Sequence, residues 1–139
     1  MQILLALRRL TYGTAINEEE KVNIATSKAD TKERANKIAF LNDALRQTFT
    51  GGKVMMTAAV DALPIDAKAR VLQNVRSFKE FDTDNDPHGE HDFGSFKIDG
   101  ETFFFKIDYY APDMQGGSED PADPKKTTRV LTIMFASDY

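Results

Sequence analysis

Alternation of apolar and polar residues is clearest between Gly94 and Tyr110, on either side of Asp99-Gly100. Asp-Gly between two such runs predicts a two-residue β-hairpin, because both central positions of a type I′ turn need positive φ. Pairing outward from the turn sets Ile98 opposite Glu101, Lys97 opposite Thr102, Phe96 opposite Phe103 and Gly94 opposite Phe105. A side-chain period of two then puts Phe96, Ile98, Phe103, Phe105, Ile107 and Tyr109 on a core face. Ser95, Lys97, Thr102, Lys106 and Asp108 fall on a wet one, together with two aromatics that break the pattern, Phe104 and Tyr110. Cover by a loop or terminal segment is the commoner explanation for such aromatics, and a contact surface the other.

Helical spacing appears upstream. Ile38, Leu41, Ala44, Leu45 and Phe49 recur at intervals of three and four, behind a capping-box spacing at Asp30 to Glu33 and ahead of Gly51-Gly52. A helix beginning near Thr31 is expected, with Arg34, Lys37, Asn42, Asp43 and Arg46 on a solvated face. Lys53 to Val60 reads as a short strand, and Pro64 opens a second helix that buries Val71, Leu72, Val75 and Phe78. Thr127 to Ala136 is apolar on both sides, as a central strand is. The expectation is α+β: two amphipathic helices packed on an antiparallel sheet of about four strands, including the hairpin. Residues 31–139 make one such domain. Residues 1–30, without a sustained period, read as an extension that is flexible or packs late.

Composition narrows the function classes. The chain has no cysteine, which excludes disulfides and thiolate metal sites and fits a reducing cytoplasm. The apolar run at the start is too short to span a bilayer. Residues 1–80 carry 13 Lys and Arg against 9 Asp and Glu, whereas residues 81–139 carry 5 against 13. The hairpin half is therefore net −8, which argues against a phosphate-backbone partner and for a basic protein or a cation.

The densest chemistry is Asp82, Asp84, Asp86, His88, Glu90, His91 and Asp92. Oxygen donors at 82, 84 and 86 have calcium-loop spacing, but Pro87 and Phe93 stand where that loop needs Gly and a bidentate Glu. His88 and His91, with Asp86 and Glu90, are candidate ligands for zinc, manganese or iron. The plainer expectation is that Asp86-Pro87 and Gly89 form turns with side chains bonded to backbone amides, and that Asp92 is tied to the start of the strand. Acid/base work by either histidine is a further option. Ser95, Ser118 and Arg129 are available nearby, yet no nucleophile elbow, phosphate loop or dinucleotide fingerprint is present.

A second acidic stretch, Asp113 to Asp123, lies in a turn-rich loop and is joined to the other hairpin strand. Asp84, Asp86, His88, Glu90 and His91 would then share one negative surface with Asp113, Glu119 and Asp120, edged by Tyr110. Tyr109 is the other candidate for that edge. Such a surface suits a basic protein, including one that binds nucleic acid, because carboxylates can stand where phosphates would. The leading expectation is a non-enzymatic acidic binding protein, cytoplasmic, with no cofactor and no direct contact to nucleic acid or membrane. The alternative is a small metal-dependent or acid/base enzyme centred on His88 and His91.

Four blocks carry a family resemblance: Leu41 to Arg46 with Thr50-Gly51-Gly52, Asp84 to Gly94, Phe104 to Tyr110, and Gly117 to Pro124 running into Thr128 to Met134. From about Glu33 onward the chain resembles a family of small, chiefly alphaproteobacterial proteins catalogued as a domain of unknown function. The resemblance brings no activity or site residues. Its members are common in plasmid and prophage surroundings, which implies a mobile-element accessory protein, for example an inhibitor of a host defence system.

Overall fold

The computed structural model describes residues 17–139, and the start of the expected extension lies outside them. The chain divides into two units at Glu33 and Arg34. The first described element, α1, spans Glu18–Thr48. It begins well before Thr31, whose hydroxyl sits inside the helix and donates to the Ser27 carbonyl at 2.9 Å. The helix starts instead at Asn17, whose side chain accepts from the Glu20 amide at 2.7 Å, with three glutamates in the first turn. That is a favourable start next to the positive end of the helix dipole. A missing hydrophobic period says that this stretch buries nothing, not that it is non-helical. At the other end Phe49, with φ of 59°, takes the left-handed position directly after the helix, and Gly51 follows at 93°.

In residues 34–139 the elements are β1 (Lys53–Met56), α2 (Ala58–Asp61), α3 (Ile65–Ser77), β2 (Phe93–Ile98), β3 (Glu101–Tyr110) and β4 (Thr128–Phe135). The expected strand at 53–60 therefore ends at Met56. Thr57 donates its amide to the Ile133 carbonyl, the last link of the ladder, and the alanines after it wind into the turn of α2. The hairpin pairs in the expected register, from Ile98 with Glu101 to Gly94 with Phe105. Asp99 and Gly100 hold φ of 51° and 84°, as a type I′ turn requires.

The sheet order is β1-β4-β3-β2. Four strands form it, and β4 is central as its apolar run predicts, but the sheet is mixed rather than antiparallel. β1 pairs with β4 in parallel, Lys53 against Val130 through Met56 against Ile133. A short apolar run predicts a strand and not its direction, and the direction here follows from the long connection through α2, α3 and the hairpin.

Leu45, Val60, Val71, Val75 and Phe78 from the helical side meet Phe103, Phe105, Ile107, Leu131 and Ile133 in one core. The fully buried Phe105 ring lies across Gly94: a Cβ there would come within 2.3 Å of it. Burying such a ring contributes about 2–3 kcal/mol. On the opposite sheet face Phe104 is half-buried between Phe93 and Tyr139, at centroid distances of 5.0 and 6.0 Å. A terminal segment therefore covers it, the commoner of the two explanations.

Candidate functional site

The start of β2, the end of β3, the start of β4 and the last turns of α1 converge on one polar network. Its centre is Asn42, which is fully buried. Asn42 Nδ2 donates to the Glu90 carbonyl at 2.9 Å and to Tyr109 Oη at 2.8 Å, while its Oδ1 accepts from Arg129 Nε at 2.8 Å. Tyr109 Oη in turn donates to Glu90 Oε1 at 2.8 Å. Arg129 is also buried; its guanidinium lies 5.3 Å from the Tyr109 ring centroid and donates from Nη2 to the Pro121 carbonyl. Burial pushes the Tyr109 phenol far above its ordinary value, with Glu90 adding to the rise. Burial likewise lowers the Arg129 guanidinium, against the pull of Tyr109 and Glu90.

A second branch runs through His91. Its Nδ1 lies 3.0 Å from both carboxylate oxygens of Asp43, its Nε2 lies 3.8 Å from Asp86 Oδ2, and its ring stacks on Phe81 at 4.1 Å. Asp43 also accepts from Arg46 Nη2 at 2.8 Å. Arg46 is 1% exposed and donates from Nη1 to the carbonyls of Val75 and Arg76, at 2.9 and 3.2 Å, so it joins α1 to the end of α3. Its guanidinium lies over Phe81 and Phe105, and its Nε has no partner among the described residues.

The acidic loop is folded by its own side chains. Asp86 is buried, and its carboxylate accepts from the amides of Glu90 at 2.9 Å and His91 at 3.2 Å. Gly89 and His91 take positive φ to allow this, 71° and 57°. Asp82 Oδ1 accepts from the amides of Asp84 and Asn85, and the Asp92 carbonyl accepts from the Ile107 amide at 2.8 Å. Turns bonded to backbone amides, with Asp92 tied to the hairpin, are what the residue pattern predicts. Burial raises the Asp92 carboxyl above its ordinary value, with Glu90 and Asp86 adding to it and His88 opposing.

The structure thus divides the predicted site residues. Asp86, Glu90 and His91 turn inward into the network. Asp84 and His88 remain exposed, and the two histidines go to different places. Among the described residues no group of three or more His, Asp or Glu is arranged to hold a metal ion. In the second loop Asp113 is exposed and accepts from the Gln115 amide, Glu119 lies 3.4 Å from Lys126, and Asp120 pairs with Arg34 at 3.2 Å. Tyr110 is half-buried, paired with Thr128. The two loops are linked through Arg129, which donates to Pro121 and to Asn42, and through Asn42, which donates to the Glu90 carbonyl.

Asn42, Asp43 and Arg46 were expected on a solvated face, and that expectation is corrected. The signal was present, since positions 38, 42, 45, 46 and 49 form a single helical stripe in which two members are polar. Polar residues in an apolar stripe are buried when partners exist, and here the partners come from Glu90, Tyr109, Arg129 and the end of α3.

Among the described residues no helix is long and apolar enough to cross a membrane. No curated protein and no solved structure matches the chain. Residues 56–138 match the family described as "Protein of unknown function (DUF3768)". The match takes in both acidic loops, the hairpin, Tyr109 and Arg129, and leaves out α1 with Asn42, Asp43 and Arg46. Since it spans more than half of its residues, the chain belongs to this family of unknown function.

Proposed function

We propose that this chain is a small non-enzymatic binding protein that holds a basic protein partner against the outward carboxylates of its two acidic loops. The observation that carries the reading is the split within residues 82–92. Asp86, Glu90 and His91 spend their polar groups inward, locking the loop to α1 and β3, while Asp84 and His88 stay in solvent. A loop so ordered loses little freedom when it binds. Asp113 lies at the same end of the sheet, with its carboxylate engaged only by a backbone amide. A nucleic-acid-binding protein is a fitting partner because carboxylates can replace phosphates at its surface, which is how a mobile-element-encoded inhibitor of a host defence protein would act.

Capture from a bacterial lysate tests this. With Asp84→Lys, Asp113→Lys and Glu119→Lys combined, retention of basic proteins should fall about tenfold at low ionic strength, each exposed charge contributing modestly. The native chain should lose the same proteins at about 1 M salt, where screening is nearly complete. Identical captured sets from both chains would overturn the proposal.

One observation favours the alternative, an enzyme centred on His88 and His91. Asp43 holds His91 Nδ1 as an orienting carboxylate holds a general base, although Nε2 faces a second carboxylate, Asp86, rather than a hydroxyl. Thermal melts with chelator, then with zinc, manganese or calcium, test the metal-dependent form of this alternative. An ion at about 100 times its Kd should raise the midpoint by about 8 °C. Such a shift, lost in His88→Ala and in His91→Ala, would favour the metal-dependent enzyme over the binding protein.

A further inference from the structure

A cavity lies at the other end of the hairpin from the acidic loops. It is an open groove of about 490 Å³ between α2, α3 and the Asp99-Gly100 turn. Its apolar wall consists of Leu63, Ala67 and Val71 on the helical side, and Ile98, Phe103 and Phe135 on the sheet side. The groove has a simple origin. Ala59 and Ala67 line it where helices face the hairpin, and their short side chains leave space above Val71 and Phe103, which are themselves core residues.

The rim is charged, and the charges do not cancel. Arg70 pairs with Asp99 at 2.9 Å. Asp138, which lines the groove, accepts at Oδ2 from Thr57 Oγ1 at 2.7 Å and from the Phe135 amide at 3.0 Å, and has no cation paired with it among the described residues. Glu101 is exposed and has no hydrogen-bond or ion-pair partner among the described residues. An apolar trough with two uncompensated carboxylates on its edge complements a segment that has apolar side chains on one face and Lys or Arg beside them. Amphipathic helices dock into hydrophobic grooves in this way. An acidic segment would bring like charge to the rim, and a wholly apolar one would leave the carboxylates unpaired.

We propose that this groove seats a basic amphipathic segment of a protein partner. It is a second interaction surface, independent of the acidic loops.

The probe is a fluorescein-labelled amphipathic Leu/Lys peptide, titrated into the full chain by fluorescence anisotropy, beside a Leu/Glu peptide of the same pattern. Saturable binding of the Leu/Lys peptide and none of the Leu/Glu peptide is expected. Glu101→Lys should weaken binding about fivefold, since each exposed charge contact is modest and reversal both removes attraction and adds repulsion. Ala67→Trp, which fills the groove, should abolish it. Because Ala67→Trp can also disturb the fold, Glu101→Lys serves as the surface variant, and a matching thermal midpoint confirms its folding. The triple variant at Asp84, Asp113 and Glu119 should bind the peptide as the native chain does. Loss of binding in that triple variant, equal binding of the acidic peptide, no binding to the native chain, or indifference to Glu101→Lys would each overturn the proposal.

Discussion

Arg46 carries a permanent charge into the protein, and the balance of its contacts decides what replacing it will do. Asp43 and two carbonyls at the end of α3 satisfy its terminal nitrogens, and two rings cover its faces, while Nε stays unpaired. Arg46→Ala should cost about 3–5 kcal/mol in urea unfolding, because it removes the cation opposite Asp43 and leaves a cavity in the core. Asp92 works in the opposite sense. Its folded pKa lies above its unfolded value, so between the two the folded state binds more protons, and stability falls as pH rises through that interval. Asp92→Asn should therefore raise the melting temperature at pH 7 and leave it unchanged at about pH 3, below both values. A rise of equal size at both pH values would show that its ionisation is not the cause. Of the two, only Arg46 gives a sign of this in the sequence. The helical stripe through positions 38, 42, 45, 46 and 49 placed Arg46 among apolar residues, but partners 29 or more residues away are what make burial tolerable.

At the scale of elements the hairpin was legible almost residue by residue. A two-residue turn sets the register, and alternation sets the faces. The part that needed the structure is the crossing of Phe105 over Gly94. Gly94→Ala puts a methyl into the rings of Phe105 and Phe78 and should cost about 1–3 kcal/mol, whereas Gly116→Ala meets open space and should stay within about 0.5 kcal/mol. A denaturation midpoint for Gly94→Ala equal to that for Gly116→Ala would contradict this packing. The long helix shows the converse. Its first turns carry exposed side chains such as Val22 and Ile24, whereas Ile38, Ala39, Asn42 and Leu45 are buried. Hydrogen exchange should accordingly run orders of magnitude faster across residues 21–30 than across 38–48. Uniform protection along α1 would contradict that gradient. Its early start differs from the expected one near Thr31 because helix formation needs no hydrophobic stripe, and the capping-box spacing at Asp30 to Glu33 lies inside the helix rather than at its start.

For the whole molecule the consequence is polarity along the sheet. The acidic loops and the polar network occupy one end of the hairpin, and the groove occupies the other, beyond the Asp99-Gly100 turn. Sites that share no partner respond additively. Combining Glu101→Lys with the triple reversal at Asp84, Asp113 and Glu119 should leave peptide affinity where Glu101→Lys alone puts it, within the error of an anisotropy titration. A larger loss would join the two surfaces into one. The sequence by itself determined what depends on neighbours: the turn, the strand register, the central apolar strand, the second helix and the α+β class. Only the tertiary structure decided the parallel pairing of β1 with β4, the inward turn of Asp86, Glu90 and His91, and the burial of Asn42 against Arg129, 87 residues away. The reason is physical. Local periodicity reports which face of an element is apolar, whereas the fate of a polar group depends on whether the fold brings it a partner before it leaves water.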